Sequence, residues 1–275
     1  MGAEGGDPEM TSILDKIFDV RRSRVEAAKR TTSIEELRDE AAQVRGAATP
    51  YRFFSSLLVD GINIIAEFKK ASPSKGILNA SADPATIGAM YQNAGAAAIS
   101  VLTEEDHFLG SLDDLRAIRE AVQIPILRKD FVFDEFQVYE SAAAGADAIL
   151  LIGSYLDIDR LRELRSLAED ELGLDALVEV HTADELENVV RTGAKLVGVN
   201  NRNLRTFDVS LDVSRELAAV APSNVTLVAE SGLRTREDLI ELRSLGYSAF
   251  LIGETLMKSG DAGCEIRELA RVHSE

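Results

Sequence analysis

The segment FDEFQVYESAAAGADAILLIG, residues 133–153, contains one complete unit of the pattern that decides the fold. Its first part, Phe133–Ala144, has apolar side chains at helical spacing, and Gly145-Ala146 ends that helix with a turn. Its last part, Ala148–Ile152, is a short apolar run without alternation, as in strands that are buried on both faces of a parallel sheet. Helix, glycine turn and buried strand in this order indicate a βα repeat.

The same unit recurs along the whole chain. Seven further apolar runs predict strands at Ile62–Phe68, Ala97–Thr103, Pro125–Phe131, Ala176–Val180, Leu196–Asn201, Thr226–Ser231 and Ala249–Gly253. Other predicted helices lie at Asp113–Ala121, Leu156–Glu171, Ala183–Arg191 and Arg236–Leu245. Glycine turns of the same kind precede further strands at Gly95, Gly193 and Gly246. Eight such units predict an α/β protein with a closed (β/α)8 (TIM) barrel.

An open, doubly wound sheet is the structural alternative to the barrel. It would require a glycine-rich dinucleotide loop after the first strand, and Glu67-Phe68-Lys69-Lys70-Ala71-Ser72 is nothing like one. Before that strand, apolar spacing predicts extra helices from Ile13 through Arg30, at Ile34–Val44 and at Tyr51–Leu58. We expect one barrel domain over residues 11–275, with residues 11–60 packed on it as extra helices, and a disordered extension at residues 1–10.

Composition narrows the functional class. The formal net charge of −17 argues against a nucleic-acid partner, because phosphate backbones are bound by clustered Lys and Arg. No apolar run approaches the ~18 residues that span a membrane, and the first ten residues lack the regions of a signal peptide. Cys264 is the only cysteine, so an intrachain disulfide is impossible. We therefore expect a cytoplasmic protein that acts on a small molecule as a monomer, with an oligomer left open.

Polar residues at the carboxyl ends of the predicted strands are the candidates for chemistry. Buried strands are apolar, so a polar side chain there costs stability unless it is paired or used. In strand order these residues are Glu67, Lys69, Lys129, Glu179, Asn200, Glu230 and Ser231. Lysines and carboxylates that converge on one barrel mouth form a general acid–base set. A ring of structural ion pairs would be the alternative.

A phosphate site is the second prediction. The seventh strand ends in Ala229-Glu230-Ser231-Gly232 and the eighth in Leu251-Ile252-Gly253-Glu254, and barrels often bind phosphate on the backbone N–H groups of these two loops. Glycine at both turns would let the backbone approach the anion. The loop Ser72–Gly76 after the first strand carries hydroxyls and a lysine, so it is a candidate for covering the phosphate.

Several of these segments together resemble a known family. The stretch Glu67–Gly76 is similar to the first-strand signature of indole-3-glycerol phosphate synthase, an enzyme of tryptophan biosynthesis. Further similar segments, in the same order, are Leu102–Glu104, Phe108–Ser111, Leu127–Phe131, Leu177–His181, Val199–Leu204 and Ala229–Gly232. The resemblance runs from about Ile13 to the last helix.

The resemblance implies an activity and a role for each residue. The family closes the pyrrole ring of 1-(2-carboxyphenylamino)-1-deoxyribulose 5-phosphate with loss of carbon dioxide and water, without metal or cofactor. By this resemblance Lys129 is the acid that protonates the ketone, Glu179 is the base, and Lys69 is a second acid that also binds the substrate carboxylate. The remaining roles that it implies are an ion pair to a lysine for Glu67, substrate positioning for Asn200 and Ser231, contact with the anthranilate ring for Phe108 and Phe131, and orientation of carboxylates for Arg202.

Some features remain outside this scheme. Glu254 follows Gly253, so the phosphate would be held there by backbone N–H groups and not by a hydroxyl. His107 and His181 lie beside motif residues without metal-ligand spacing, and we interpret both as non-catalytic.

Two other functions stay open: a sugar-phosphate isomerase, which would not need lysines on both the first and third strands, and a barrel that only binds a phosphorylated metabolite. Indole absorbance and fluorescence would appear only if a ring is closed.

Overall fold

The computed structural model describes residues 13–203 and 206–271, and within them eight parallel strands close into a barrel. The strands are β1 (Asn63–Phe68), β2 (Ala98–Leu102), β3 (Ile126–Lys129), β4 (Ala148–Ile152), β5 (Asp175–Val180), β6 (Leu196–Asn200), β7 (Thr226–Glu230) and β8 (Tyr247–Ile252). Each pairs in parallel with its neighbours along the chain, and β8 pairs with β1. The predicted (β/α)8 barrel with additional N-terminal helices is confirmed. The expected disordered extension, residues 1–10, lies outside the described residues.

Helices cover the barrel and precede it. They are α1 (Ile13–Ala28), α2 (Ile34–Gly46), α3 (Arg52–Ser56), α4 (Pro84–Asn93), α5 (Leu112–Ala121), α6 (Glu135–Ala143), α7 (Ile158–Ser166), α8 (Ala183–Arg191), α9 (Asp212–Val220), α10 (Arg236–Ser244), α11 (Glu254–Lys258) and α12 (Ala262–Ala270). Side-chain caps begin many of them, such as Asp134 before α6 and Thr235 before α10, each within a capping box. None of the described helices is long and apolar enough to cross a membrane.

The glycine turns adopt the backbone that their sequence positions predict. Gly95, Gly145, Gly193 and Gly246 have φ between 87° and 104°, in the left-handed region that residues with a Cβ avoid. Each turn brings the chain from a helix directly into the next strand, so the strand ends at the opposite face are aligned. That alignment is what brings the polar strand ends together.

Several predicted boundaries are wrong in detail. The strand expected at Pro125–Phe131 ends at Lys129, because the carboxylate of Asp130 accepts the backbone N–H of Phe131 and takes it out of the ladder. The helix expected at Leu156–Glu171 starts at Ile158 and gives way after Ser166 to one π-helical turn, Leu167–Glu171. The loop at Ser72–Gly76 is a small hairpin in which Ala71–Ser72 pairs with Gly76–Ile77.

Two of the N-terminal helices contact opposite ends of the barrel. Phe53 and Leu57, from α3 and its end, are fully buried in the same cluster as the inward-facing strand residues, at the end where the strands begin. At the other end, Phe18 of α1 stacks on Tyr155 and makes an edge contact with Phe131, their ring centroids 5.3 Å apart. Helix α1 therefore lies beside the barrel mouth.

Candidate active site

A cavity of about 690 Å³ opens at the carboxyl ends of the strands, a size typical of small-molecule sites. It is lined by all of the predicted site residues except Glu230: Glu67, Lys69, Ser72, Phe108, Lys129, Phe131, Glu179, Asn200, Arg202, Ser231, Gly232, Gly253 and Glu254. Residues at the ends of β1, β3, β5, β6, β7 and β8 thus face one cavity. Glu230 lies behind the wall, fully buried.

Lys129 is held between two carboxylates near the centre of the mouth. Its Nζ donates to Glu230 Oε2 at 2.6 Å and lies 3.6 Å from Glu67 Oε2. The other oxygen of Glu67 accepts a hydrogen bond from Lys69. Glu67 therefore bridges the two lysines and fixes their spacing, and the side chains of both lysines keep a small exposed fraction, 14% and 16%.

These contacts determine the charges at the mouth. Burial opposes the charge on Lys129, but the negative charges of Glu230, Glu67 and Glu179 outweigh burial and raise the pKa of Lys129. Burial likewise opposes the charge on Glu67, and the two lysines outweigh it and lower the pKa of Glu67. For Glu230, burial and the neighbouring carboxylates outweigh Lys129, so the pKa of Glu230 is raised. At neutral pH Lys129 is a charged acid in a largely dry site.

Glu179, Asn200 and Ser231 line the cavity from the ends of β5, β6 and β7. Glu179 projects from β5 with only 4% of its side chain exposed. Asn200 ends β6, where its side-chain oxygen accepts the backbone N–H of Arg202 at 3.0 Å, which orients the amide. Ser231 has φ 64°, a strained backbone for a residue with a Cβ, and such strain is often found at functional sites.

Two glycines make room for the buried carboxylates. A Cβ at Gly253 would overlap Glu67 Oε1 and would lie 2.8 Å from the carboxyl carbon of Glu67. A Cβ at Gly198 in β6 would overlap Glu230 Oε1 in the same way. The backbone at Gly253 has φ −128°, so the residue is not needed for a left-handed turn. Gly253 thus has a reason in addition to the expected one: the space of its missing side chain is taken by Glu67.

The end of the cavity beside β7 and β8 is cationic. Lys75, Arg202, Arg234 and Lys258 all line it. Between them lies Glu254, which pairs with Lys258 at 2.8 Å, with Arg202 at 3.5 Å and with Lys75 at 3.6 Å. Burial works against the charge on Glu254, but these cations outweigh burial and lower its pKa. A local excess of positive charge therefore exists here in a chain whose net charge is −17.

The opposite end of the cavity is apolar. Phe108 and Phe131 lie with ring centroids 6.1 Å apart. Three aliphatic side chains of α1 complete this wall: Ile13, Leu14 and Ile17. The site therefore has an aromatic–aliphatic end, a central pair of lysines and a cationic end, which suits a ligand with an aromatic ring and a phosphate.

A buried ionic network supports the strand that carries Lys129. The neighbouring Asp130 accepts hydrogen bonds from Arg21 at 2.6 Å, from Thr103 at 2.6 Å and from Arg128 at 2.9 Å. Burial opposes the charge on Asp130, and the two arginines outweigh it and lower its pKa. Because Arg21 belongs to α1, this network also ties the cavity's apolar wall to the strand of Lys129.

Sequence reasoning missed several residues that line the cavity. Arg234 and Lys258 lie within five residues of the strand-end glycines, and a search for cations at that distance would have found them. The α1 residues Ile13, Leu14 and Ile17 carry no such signal, since an apolar helix face usually predicts core packing. No group of three or more His, Cys, Asp or Glu side chains among the described residues could hold a metal ion.

Comparisons with known proteins find similar sequences over most of the chain. The family model described as indole-3-glycerol phosphate synthase matches residues 14–269. An indole-3-glycerol phosphate synthase of Carboxydothermus hydrogenoformans is 46% identical over 256 residues, which cover 91% of this chain and 97% of that relative. The enzyme of the same name from Desulfotalea psychrophila is 47% identical over 263 residues and is covered over its full length, with 95% of this chain aligned.

A solved structure with low sequence identity also matches the fold. The 3-hexulose-6-phosphate synthase of Salmonella typhimurium matches with a TM-score of 0.59 at 14% identity, over 76% of this chain and 97% of that chain. At that identity the match bears on the fold alone.

Proposed function

The chain belongs to the indole-3-glycerol phosphate synthase family, and from this premise we propose how its barrel mouth divides the work of closing an indole ring. The reaction converts 1-(2-carboxyphenylamino)-1-deoxyribulose 5-phosphate to indole-3-glycerol phosphate. Carbon dioxide and water are lost, and the protein is a carboxy-lyase. Proton transfers at defined atoms are the steps that the side chains must supply.

Lys129 is the acid of the ring-closing step. The ring carbon that carries the carboxylate attacks the ketone carbon, and the ketone oxygen must be protonated as that bond forms. The observation that supports this role is the position of Lys129: its ammonium is buried, kept charged by Glu230 and Glu67, and open to the cavity at its centre. A charged donor in a water-poor site stabilises a developing oxyanion better than it would in water.

Glu179 and Lys69 complete the dehydration. After decarboxylation restores the aromatic ring, a proton leaves the carbon next to nitrogen and the hydroxyl departs as water. We assign the base to Glu179, which lines the cavity from the end of β5, and the second acid to Lys69, which Glu67 holds in place. Lys69 lies close enough to the same centre to bind the substrate carboxylate before it is lost.

The two ends of the cavity set the direction of the substrate. The anthranilate ring would lie between Phe108, Phe131 and the α1 side chains, with the phosphate at the loops of Gly232 and Gly253. Ser72 and its hairpin face that phosphate end, and Asn200 and Ser231 position the ribulose chain. Glu230 is buried against Lys129, so we assign it to the charge of that lysine and no longer to phosphate binding. Glu254 holds the surrounding cations.

Two measurements test this assignment. Formation of indole absorbance and fluorescence from the carboxyphenylamino substrate distinguishes ring closure from isomerisation or simple binding. Single-turnover mixing with acid quench then separates the lysines. We expect Lys129→Ala to stop ring closure, by about 10²–10⁴-fold or more, while substrate analogues still bind.

Lys69→Ala is expected to behave differently. It should weaken binding as well as turnover, and a decarboxylated but undehydrated intermediate should accumulate. If that intermediate accumulates in Lys129→Ala and not in Lys69→Ala, the two roles are reversed.

A further inference from the structure

His181 lies directly behind Glu179, outside the cavity. It follows the end of β5 by one residue, and 16% of its side chain is exposed. His181 is absent from the residues that line the cavity, so a bound substrate would not touch it. Any influence of the imidazole on the reaction must therefore pass through Glu179.

The imidazole is held in place by Glu185 on the first turn of α8. Glu185 Oε2 accepts the backbone N–H of His181 at 2.6 Å and lies 3.6 Å from the ring nitrogen Nδ1. Burial opposes the charge on Glu185, but its contacts with His181 outweigh burial and lower the pKa of Glu185. One carboxylate thus fixes both the backbone and one edge of the ring.

The other edge of the ring faces the proposed base. His181 Nε2 is buried and has no hydrogen-bond partner among the described residues, and Glu179 Oε1 lies 3.7 Å away. The ionisable groups that face the ring are Glu179 on its own strand, Glu185 on α8 and Glu230 on β7. Burial opposes protonation, but these three carboxylates outweigh it and raise the pKa of His181.

Glu179 acts on Lys129 only at longer range, because neither lysine of the mouth pairs with its carboxylate directly. The ammonium of Lys129 is 2.6 Å from Glu230, and that of Lys69 is hydrogen-bonded to Glu67. In the described part of the chain, His181 is the only cationic side chain within 4.0 Å of the Glu179 carboxylate. A third carboxylate beside Glu67 and Glu230 would otherwise lack a paired positive charge, which is costly in a buried site.

We propose that His181, held by Glu185, is a positioning residue that sets a positive charge beside the Glu179 carboxylate and keeps it aimed into the cavity. The inference rests on the proposed function, in which Glu179 takes a proton from the substrate carbon next to nitrogen. In that step the C–H bond breaks, its electron pair forms the ring double bond, and the hydroxyl leaves as water. His181 keeps its own proton throughout.

The test compares pH profiles of kcat and KM for His181→Gln, Glu185→Gln and the wild type. We expect His181→Gln to lower kcat about 10- to 100-fold near pH 7, a fraction of what a general base contributes, with KM changed less than about threefold. The acid side of its kcat profile should move to higher pH, and Glu185→Gln should move it in the same direction by less. A purely structural role would lower activity equally at every pH.

His107 provides a matched control. Its Nδ1 lies 3.1 Å from Glu104, so it is also a histidine beside a carboxylate at the mouth, but it does not line the cavity or approach Glu179. His107→Gln should reproduce the wild-type profile. A His181→Gln profile with the wild-type shape would overturn the proposal.

Two further measurements keep the outcomes separate. If Glu179→Gln retains nearly full activity, the assignment of the base fails, whatever His181→Gln does. If His181→Gln does not fold, ¹⁵N spectra of the wild-type imidazole decide: we expect His181 to titrate above the ordinary value of 6.5, and to titrate lower in Glu185→Gln. Titration at or below the ordinary value in the wild type would refute the role.

Discussion

Replacing Gly253 by alanine should damage catalysis and leave phosphate binding largely intact. The new Cβ would lie 2.8 Å from the carboxyl carbon of Glu67 and 2.9 Å from its Cβ. Carbon atoms pack comfortably at about 3.5 Å, so the Glu67 carboxylate must retreat by at least about 0.7 Å. This carboxylate is buried, accepts a hydrogen bond from Lys69 and lies 3.6 Å from Lys129. It cannot move without moving the two lysine side chains.

The size of the loss follows from that displacement. A misplacement of about 1 Å in a reacting group can cost on the order of 10²-fold in rate. We expect kcat of Gly253→Ala to fall by about 30- to 100-fold, with KM changed less than about threefold, and the overpacking to cost about 1–3 kcal/mol of unfolding free energy. Steady-state kinetics of ring closure and urea unfolding measure the two effects.

Gly260→Ala is the matched control, because a Cβ there meets nothing within 4 Å and the backbone has no positive φ. A double-mutant cycle gives a stricter test: in a Glu67→Ala background, Gly253→Ala should cost little more, since the obstructing carboxylate is gone. The reasoning is refuted if Gly253→Ala raises KM with kcat unchanged, which would mean that the glycine serves the phosphate.

Three other outcomes are expected. Gly232→Ala should raise KM more than it lowers kcat, because Gly232 has φ 79° in the predicted phosphate loop; a variant that discriminates against phosphate-free substrate as strongly as the wild type would place the phosphate elsewhere. Burial raises the pKa of Asp175 to about 6 in the folded protein, from an ordinary value of 3.8. The contribution of this carboxyl group to the free energy of unfolding is therefore fully present below about pH 4 and is lost, by about 3 kcal/mol, as the pH rises through 6. Asp175→Asn should therefore gain stability over the wild type between pH 4 and 8 in urea unfolding, and a constant difference would contradict this. Exhaustive dialysis against a chelator should leave turnover intact, and recovery with one divalent ion would show the acid–base scheme to be wrong.

The positions of the functional residues at the strand ends were predictable from two properties of the sequence. Apolar runs mark strands that are buried on both faces, and a polar residue at the end of such a run, such as Lys129 or Glu179, stands out against them. The glycine turns that align those ends are equally visible, since Gly145 and its counterparts need a backbone that other residues avoid. The fold and the polar residues at the strand ends follow from these local signals.

What the sequence did not predict depends on contacts between distant segments. Gly253 and Gly198 look like ordinary glycines until the carboxylates of Glu67 and Glu230 are seen in the space beside them. The apolar residues of α1 look like core residues, and only the closed barrel shows that Ile17 also borders a cavity. Glu230 was predicted from its position at the end of the seventh strand, beside the phosphate loop, and only the folded barrel shows that its side chain contacts Lys129.

The position of α1 also has a consequence for synthesis of the chain. Arg21 meets Asp130 across 109 residues, and Arg22 meets Tyr155 across 133. At about 5–20 residues per second, a ribosome that has made Arg22 needs about 7–27 s to reach Tyr155. For most of that time the aromatic partners of Phe18, which are Phe131 and Tyr155, have not been made, and this makes the nascent segment a candidate for chaperone binding. The earliest helix is thus among the last to reach its final contacts, and the substrate pocket gains its apolar wall only after half of the barrel has emerged.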